Sequence, residues 1–436
     1  MKTSYDLIVI GSGAAGSSAA FAAKEAKPGM SVLVIGRENY PVYSAPALPD
    51  YLSGELTKEK LMVRSFEEYA AAGIVLYTGD PAAEADPAKR TVKTAGGSIF
   101  RYKKLILATG SFPIQLRRMQ GTGLPGNFVS KTIDDIESIM AYGARRAVVV
   151  GSGAIGLEGS MALKARGLEK VTMVEALEWL SPKSLDRATS DALKASLESF
   201  GIEVLTGEAV EGVLGEKKVE GVKTAKREIP CDLILWGIGM RPDVELAKSM
   251  GAETGETGSI LVDEYMKTSL PHVYACGDCV ESKDKLSGRP AQHLFWEPAQ
   301  RGGIAAGLNC AGQKVPYLGS TAIFLTHKGG LSIVAAGKTE SELSPEGGVI
   351  LEDRGRGRKA FYRRLLFENG LLCGFQMVNT LKDVDLLMDT VEKNALARDG
   401  RQRLIKPFEG GELQKMGVQD AVYRLRKERR AQLQYF

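Results

Sequence analysis

An α/β fold with two doubly wound parallel units, followed by an α+β C-terminal region, is what this sequence predicts, and three observations predict it. Residues 7–16 (LIVIGSGAAG) recur as residues 147–156 (AVVVGSGAIG), with Gly11 and Gly151 140 positions apart. Each copy runs from a continuous apolar stretch, the pattern of a buried parallel strand, through GxGxxG into an alanine-rich helical stretch. Beyond roughly residue 325 the pattern changes to short strands, and Asn369-Gly370 between two apolar runs predicts a hairpin.

The 436 residues are enough for about three domains, each able to bury a core without disulfides. Hydrophobic residues at 44% and charged residues at 25% suit a soluble globular chain and exclude a disordered or fibrous one. The 57 basic and 53 acidic residues leave a net charge of +4, too little over this size to argue for nucleic acid. No apolar run reaches the roughly eighteen residues that cross a bilayer, and the chain enters its first strand without a signal-peptide layout. The expectation is a cytoplasmic protein with no membrane span. Five cysteines without a regular framework suit a reducing compartment, and three histidines argue against a His-based metal site.

The two glycine turns carry the first chemistry. Gly11, Ser12, Gly13, Ala14, Ala15 and Gly16 form one, and Gly151, Gly153, Ala154, Ile155 and Gly156 the other. Glycine there permits a sharp turn, backbone approach to a pyrophosphate and close helix packing, with phosphates seated on the helix N-terminus. After the second turn, residues 171–175 (VTMVE) end in Glu175, about twenty residues past the glycines. An acid there accepts a ribose 2′-hydroxyl and repels a 2′-phosphate, so NADH is expected over NADPH. After the first turn, residues 31–38 (SVLVIGRE) have Gly36 where the acid usually falls. Glu38, displaced by two positions, is the available substitute, and Arg37 is a candidate to lie against the adenine.

With these motifs in place, the sequence resembles the FAD-dependent pyridine nucleotide-disulfide oxidoreductase family over nearly its whole length. Residues 102–111 (YKKLILATGS) are similar to the segment that returns the chain from the FAD domain, and residues 235–242 (LWGIGMRP) to its counterpart leaving the NAD domain. Residues 273–279 (VYACGDC) resemble the second FAD signature. The resemblance implies that Ala108, Thr109, Gly110 and Gly277 line FAD and that Asp278 binds its ribitol. It implies that Gly239 borders NAD and that Glu158 lies near the nicotinamide. Residues 294–303 (LFWEPAQRGG) read as a helix start, and the resemblance implies that its N-terminus, at Pro298 and Ala299, faces the flavin. Cys276 and Cys279 form C-x-x-C around Asp278, but a segment lying under FAD is not a thiol-exchange surface.

Many members of this family carry a reactive cysteine beside the flavin. The matching stretch here is residues 42–54 (VYSAPALPDYLSG), with Pro46 at the cysteine position. Proline has no nucleophile, so cysteine-based disulfide or peroxide chemistry is unavailable at that site. The arrangement resembles the rubredoxin and ferredoxin reductase branch, which often has lysine at the position matching Asp50; any lysine near the flavin must come from elsewhere or be absent. Two basic clusters, Arg354, Arg356, Arg358, Lys359, Arg363 and Arg364, and the tail with Arg424, Arg426, Lys427, Arg429 and Arg430, offer an electrostatic surface for an acidic carrier. They lack the interleaved aromatics of a nucleic-acid platform.

The expected architecture is two Rossmann-like dinucleotide-binding domains plus an α+β C-terminal interface domain. FAD would be bound by residues 1–118 and 245–325, NAD(H) by 119–244, and a homodimer formed through 326–436 with its basic tail. The expected function is passage of hydride from NADH to FAD and of electrons to an acidic iron–sulfur carrier of rubredoxin or ferredoxin type. The alternatives are an NADH oxidase reducing oxygen and a redox-responsive flavoprotein binding module.

Overall fold

The computed structural model describes residues 2–116, 118–355, 360–398, 408, 410–413 and 415–433. The apolar run Ser4–Ile10 is the centre of the first sheet. It pairs in parallel with Val32–Ile35 on one side and Ile99–Leu107 on the other, and Ile74–Tyr77 continues the parallel row beyond Val32–Ile35. Leu7, Ile8 and Val9 are fully buried, so both faces of the strand are covered, which is why it is apolar throughout rather than alternating. Ile99–Leu107 is long enough to serve two partners. Its first half takes the antiparallel Thr91–Thr94, and its second half takes Val273–Ala275, which returns in parallel from far along the chain.

The second sheet is parallel throughout, in the order Ile202–Thr206, Lys170–Glu175, Arg146–Val150, Leu233–Trp236, Asn127–Phe128. The chain passes between the sheets twice, and the two passages pair with each other as Ser111–Pro113 against Met240–Pro242. The third large sheet is antiparallel, in the order Ile323–Lys328, Leu331–Gly337, Leu371–Val378, Tyr362–Glu368, Gly348–Arg354. Asn369 and Gly370, at φ +51° and +76°, make the tight turn that the sequence predicts between Tyr362–Glu368 and Leu371–Val378. Helices Val384–Arg398 and Val418–Leu433 pack on this sheet through Leu387, Val391, Val422 and Leu425.

The strand Tyr362–Glu368 corrects the reading of the first basic cluster as a surface. It lies inside the sheet with both faces covered, so successive arginines point into opposite layers. Arg363 is 1% exposed and meets Asp353 at 3.0 Å and Asp383 at 3.6 Å. Arg364 is 5% exposed and meets Asp186 at 3.0 Å, Glu340 at 2.8 Å and Glu352 at 3.4 Å. A buried guanidinium must be paired, and these are. Arg354 is exposed and stacks over the Tyr362 ring, whereas Arg356, Arg358 and Lys359 lie outside the described residues. In the tail, Arg424, Arg426 and Arg429 each meet an acid, Glu412, Asp383 and Asp389 respectively.

Candidate active site

The first glycine turn follows Ile10 at the carboxyl end of the central strand. Gly11 has φ +111°, and a Cβ on it would collide with the carbonyl of Ala108, so the turn and the 108–110 segment can touch only through glycine. Helix Ala14–Ala26 begins at Gly13 with no side-chain cap and no acid in its first turn. Its leading N–H groups, Ala14 and Ala15 among them, are left without a capping side chain, which is the donor set an anionic phosphate needs. Helix Trp296–Ala311 crosses this helix closely, since Gly303 and Gly307 leave no room for a side chain against the carbonyls of Ala15 and Ala19. Pro298 and Ala299 fall in its first turn, again without a side-chain cap.

Around this turn the other expected FAD residues gather. Ala108 N–H donates to the Ile10 carbonyl at 2.8 Å, and Thr109 Oγ1 donates to the Asp243 carbonyl at 2.6 Å. Gly110 accepts the Asp243 N–H at 2.9 Å, which ties the two interdomain passages together. Gly277, at φ +81°, packs its Cα face against Ala15. The Asp278 carboxylate accepts from Ser111 Oγ at 2.7 Å and from Lys131 Nζ at 3.4 Å. The sequence assigns Ser111 no role beyond closing the segment 102–111, and Lys131 carries no signal in it. They are the hydroxyl and cation that surround the predicted ribitol ligand, and a polyol chain with its phosphates fits such a set.

The missing acid of the first turn has a steric reason. A Cβ at Gly36 would sit 2.6 Å from Ser12 Oγ, so the glycine makes room for Ser12. Glu38 turns inward, accepting from Tyr43 O–H at 2.8 Å, and burial pushes its carboxyl above the usual range. Arg37 stacks on the Phe112 ring at 4.7 Å and pairs with Asp243 at 3.2 Å.

The second turn repeats the geometry. Gly151 has φ +97°, with a Cβ position 2.6 Å from the Gly237 carbonyl, and a Cβ at Gly156 would collide with Gly151. Helix Ala154–Ala165 starts at Gly153 without a side-chain cap, with Ile155 in its first turn. Gly239, at φ +112°, accepts Ile114 N–H at 2.9 Å beside the crossing of the two passages. Glu175 ends its strand with both oxygens engaged. Oε2 accepts Ser152 N–H at 3.0 Å and Ser152 Oγ at 2.5 Å, and Oε1 accepts Leu177 N–H at 3.0 Å.

Pro46 stands exposed in the short turn Ala45–Ala47, just ahead of helix Leu48–Ser53. All five cysteines are buried free thiols. Burial pushes Cys231 up to about 12 and holds the Cys276, Cys279 and Cys310 thiols above their ordinary value. None of these four is a thiolate nucleophile at neutral pH. Glu158 lies on the first turns of helix Ala154–Ala165, where burial pushes its carboxyl up to about 7. Thr326 Oγ1 donates to it at 3.3 Å, and beside it Lys328 Nζ meets Asp50 Oδ2 at 2.5 Å. Asp50 thus pairs with a lysine from the C-terminal sheet, 278 residues away and unreadable from local pattern.

Comparison with known proteins bears on the family and the fold. The family model described as "Pyridine nucleotide-disulphide oxidoreductase" matches residues 5–301. An NADH oxidase of Methanocaldococcus jannaschii is 32% identical over 391 residues, covering 85% of this chain and 87% of that protein. The NAD-dependent persulfide reductase from A. fulgidus superposes with a TM-score of 0.84 at 27% identity, over 98% of this chain and 84% of its own. The ferredoxin reductase for the CYP199A2 system from Rhodopseudomonas palustris gives a TM-score of 0.79 at 25% identity, over 90% of this chain and 97% of its own. With two glycine turns on two parallel sheets and a family match across more than half its length, the chain belongs to the pyridine nucleotide-disulphide oxidoreductase family.

Proposed function

We propose that this FAD- and NAD(P)H-dependent oxidoreductase takes hydride from NADH and passes electrons to an iron–sulfur carrier of rubredoxin or ferredoxin type, without an active-site cysteine. The observation that carries the reading is Pro46, exposed where a redox thiol would stand, with every cysteine of the chain buried. FAD, when bound, supplies the redox chemistry, accepting a hydride and releasing electrons singly. The chain's part is binding, orientation and electrostatics. In this reading residues 1–118 and 245–325 hold FAD through Gly11 to Gly16, Ala108 to Gly110, Gly277 and Asp278. Residues 119–244 hold NADH through Gly151 to Gly156 and Gly239, and residues 326–436 form the interface of a homodimer. Glu175 accepts the ribose 2′-hydroxyl and disfavours a 2′-phosphate, and Glu158 borders the nicotinamide.

The ferredoxin reductase likeness supports a protein carrier. The burial of Arg363 and Arg364 removes two residues from the basic docking surface, leaving Arg354 of those described in that cluster. A second reading, an NADH oxidase, is favoured by the M. jannaschii relative; without a thiol, its expected product from oxygen is peroxide. The test is anaerobic stopped-flow reduction of the flavin-loaded protein by NADH, followed by mixing with oxidised rubredoxin, oxidised ferredoxin or air. Reoxidation by one carrier much faster than by air supports the carrier reading. Fast reoxidation by air with both carriers inert supports the oxidase, and failure of NADH to bleach the flavin overturns both.

A further inference from the structure

The strand Ile323–Lys328 ends at Gly329-Gly330, whose φ values of +55° and +86° make the tight turn into Leu331–Gly337. Thr326 and Lys328 are two positions apart on this strand, so they share one face. That face meets two helices from much earlier in the chain. Thr326 Oγ1 reaches Glu158 on helix Ala154–Ala165, and Lys328 Nζ reaches Asp50 on helix Leu48–Ser53. The Lys328 and Asp50 side chains are 18% and 21% exposed, so their ion pair is shielded more than a surface one. The two helices are braced to each other by Arg166 Nη1 donating to the Leu52 carbonyl at 3.1 Å. The glycine turn itself presses on Met161 of helix Ala154–Ala165, where a Cβ at Gly329 would lie 3.1 Å from the thioether methyl. Three distant segments are therefore fixed around one carboxyl. Among the described residues, the charged groups facing Glu158 are Asp50 from helix Leu48–Ser53 and Lys328 from the strand, and the Thr326 hydroxyl donates to it.

We propose that Lys328 is a positioning residue of the hydride-transfer junction: anchored on Asp50, it holds the C-terminal sheet so that Thr326 of the same strand meets Glu158, and it balances the charge there, so the junction is complete only with that sheet docked. The inference rests on the reading above that Glu158 borders the nicotinamide. Its physical content is a sign. Lys328 favours the ionised Glu158 carboxylate and Asp50 disfavours it, while burial works against ionisation throughout. Removing the lysine or the aspartate must then move Glu158 in opposite directions, although each substitution breaks the same ion pair.

The experiment follows the Glu158 carboxyl carbon by NMR in flavin-loaded full-length protein labelled on glutamate, its signal assigned by loss in Glu158→Gln. Lys328→Met is expected to raise the titration midpoint by about one pH unit and Asp50→Asn to lower it by a similar amount. Lys328→Arg is expected to restore the wild-type midpoint. The pH profile of anaerobic flavin reduction by NADH is expected to shift in the same two directions. A strap with no electrostatic role would move both midpoints the same way or neither, and either result overturns the proposal. The carboxyl titration needs no NADH, so failure of NADH to reduce the flavin would overturn the functional reading while the midpoints still decide the role of Lys328.

Discussion

Ser152 holds Glu175 across the second glycine turn with two bonds to one carboxylate oxygen, from its N–H at 3.0 Å and its hydroxyl at 2.5 Å. The serine is itself fixed, since Ser181 N–H donates to Ser152 Oγ at 2.8 Å and Ser181 Oγ donates to the Ser152 carbonyl. The acid at the strand end is thus held in one orientation by the chain's own hydrogen bonds. Glu175→Ser is expected to lower kcat/KM for NADH about tenfold or more, the worth of one hydrogen bond to a charged group, and to raise it for NADPH. Steady-state kinetics with both nucleotides checks this, and an unchanged ratio would reject Glu175 as the discriminating group.

Arg364 is the buried counterion of Asp186, which also accepts from Gln376 Nε2 at 2.8 Å and from Glu340 N–H at 2.8 Å. Burial pushes the Asp186 carboxyl up, and the arginine opposes that. Arg364→Met leaves the acid uncompensated and is expected to cost about 3–5 kcal/mol. Arg354→Ala, at an exposed pair, is expected to stay within about 0.5 kcal/mol of wild type. Urea unfolding of the two variants measures the difference.

The pH dependence of stability has a defined sign at Glu158. Its carboxyl is pushed from 4.5 up to about 7 by burial, so the folded chain keeps a proton that the unfolded chain has lost. The unfolded state binds fewer protons across that interval, and stability falls as pH rises. This contribution is fully present below about pH 4.5 and is lost as pH rises through 7. Glu158→Gln is expected to flatten the decline in melting temperature between pH 5 and pH 8 relative to wild type, measured by thermal unfolding in matched buffers. An identical slope in both proteins would mean that the carboxyl is already ionised at pH 5.

The thiols give a direct test of the site without a cysteine. All five are buried, so the native protein is expected to react slowly with Ellman's reagent and to release five equivalents only when denatured. Pro46→Cys, in the exposed turn, is expected to add about one fast-reacting thiol under native conditions. A fast native thiol in the wild type would contradict the burial of the five.

The glycine turns were readable because their requirement is local. Gly11 and Gly151 must take φ values near +100°, and the strand before and helix after each leave periodicities of their own. The place of Glu175 was readable because the second strand of such a unit ends about twenty residues past the glycines, and there its carboxylate meets Ser152 of the turn. The Asn369-Gly370 hairpin was equally local, a two-residue turn that needs positive φ at both positions.

What the sequence by itself determined is therefore the α/β fold with its C-terminal α+β region, the two glycine turns and the proline where a thiol would stand. Only the tertiary structure decided which charges meet. It buried Arg363 and Arg364 in a covered strand, turned Glu38 to Tyr43, placed Lys131 at Asp278 and brought Lys328 to Asp50. The reason is physical. Dihedral and periodicity constraints act within a few residues and leave a pattern, whereas a charge is paired by whatever the packing brings within a few ångströms, and residues 50, 158 and 328 share no local rule.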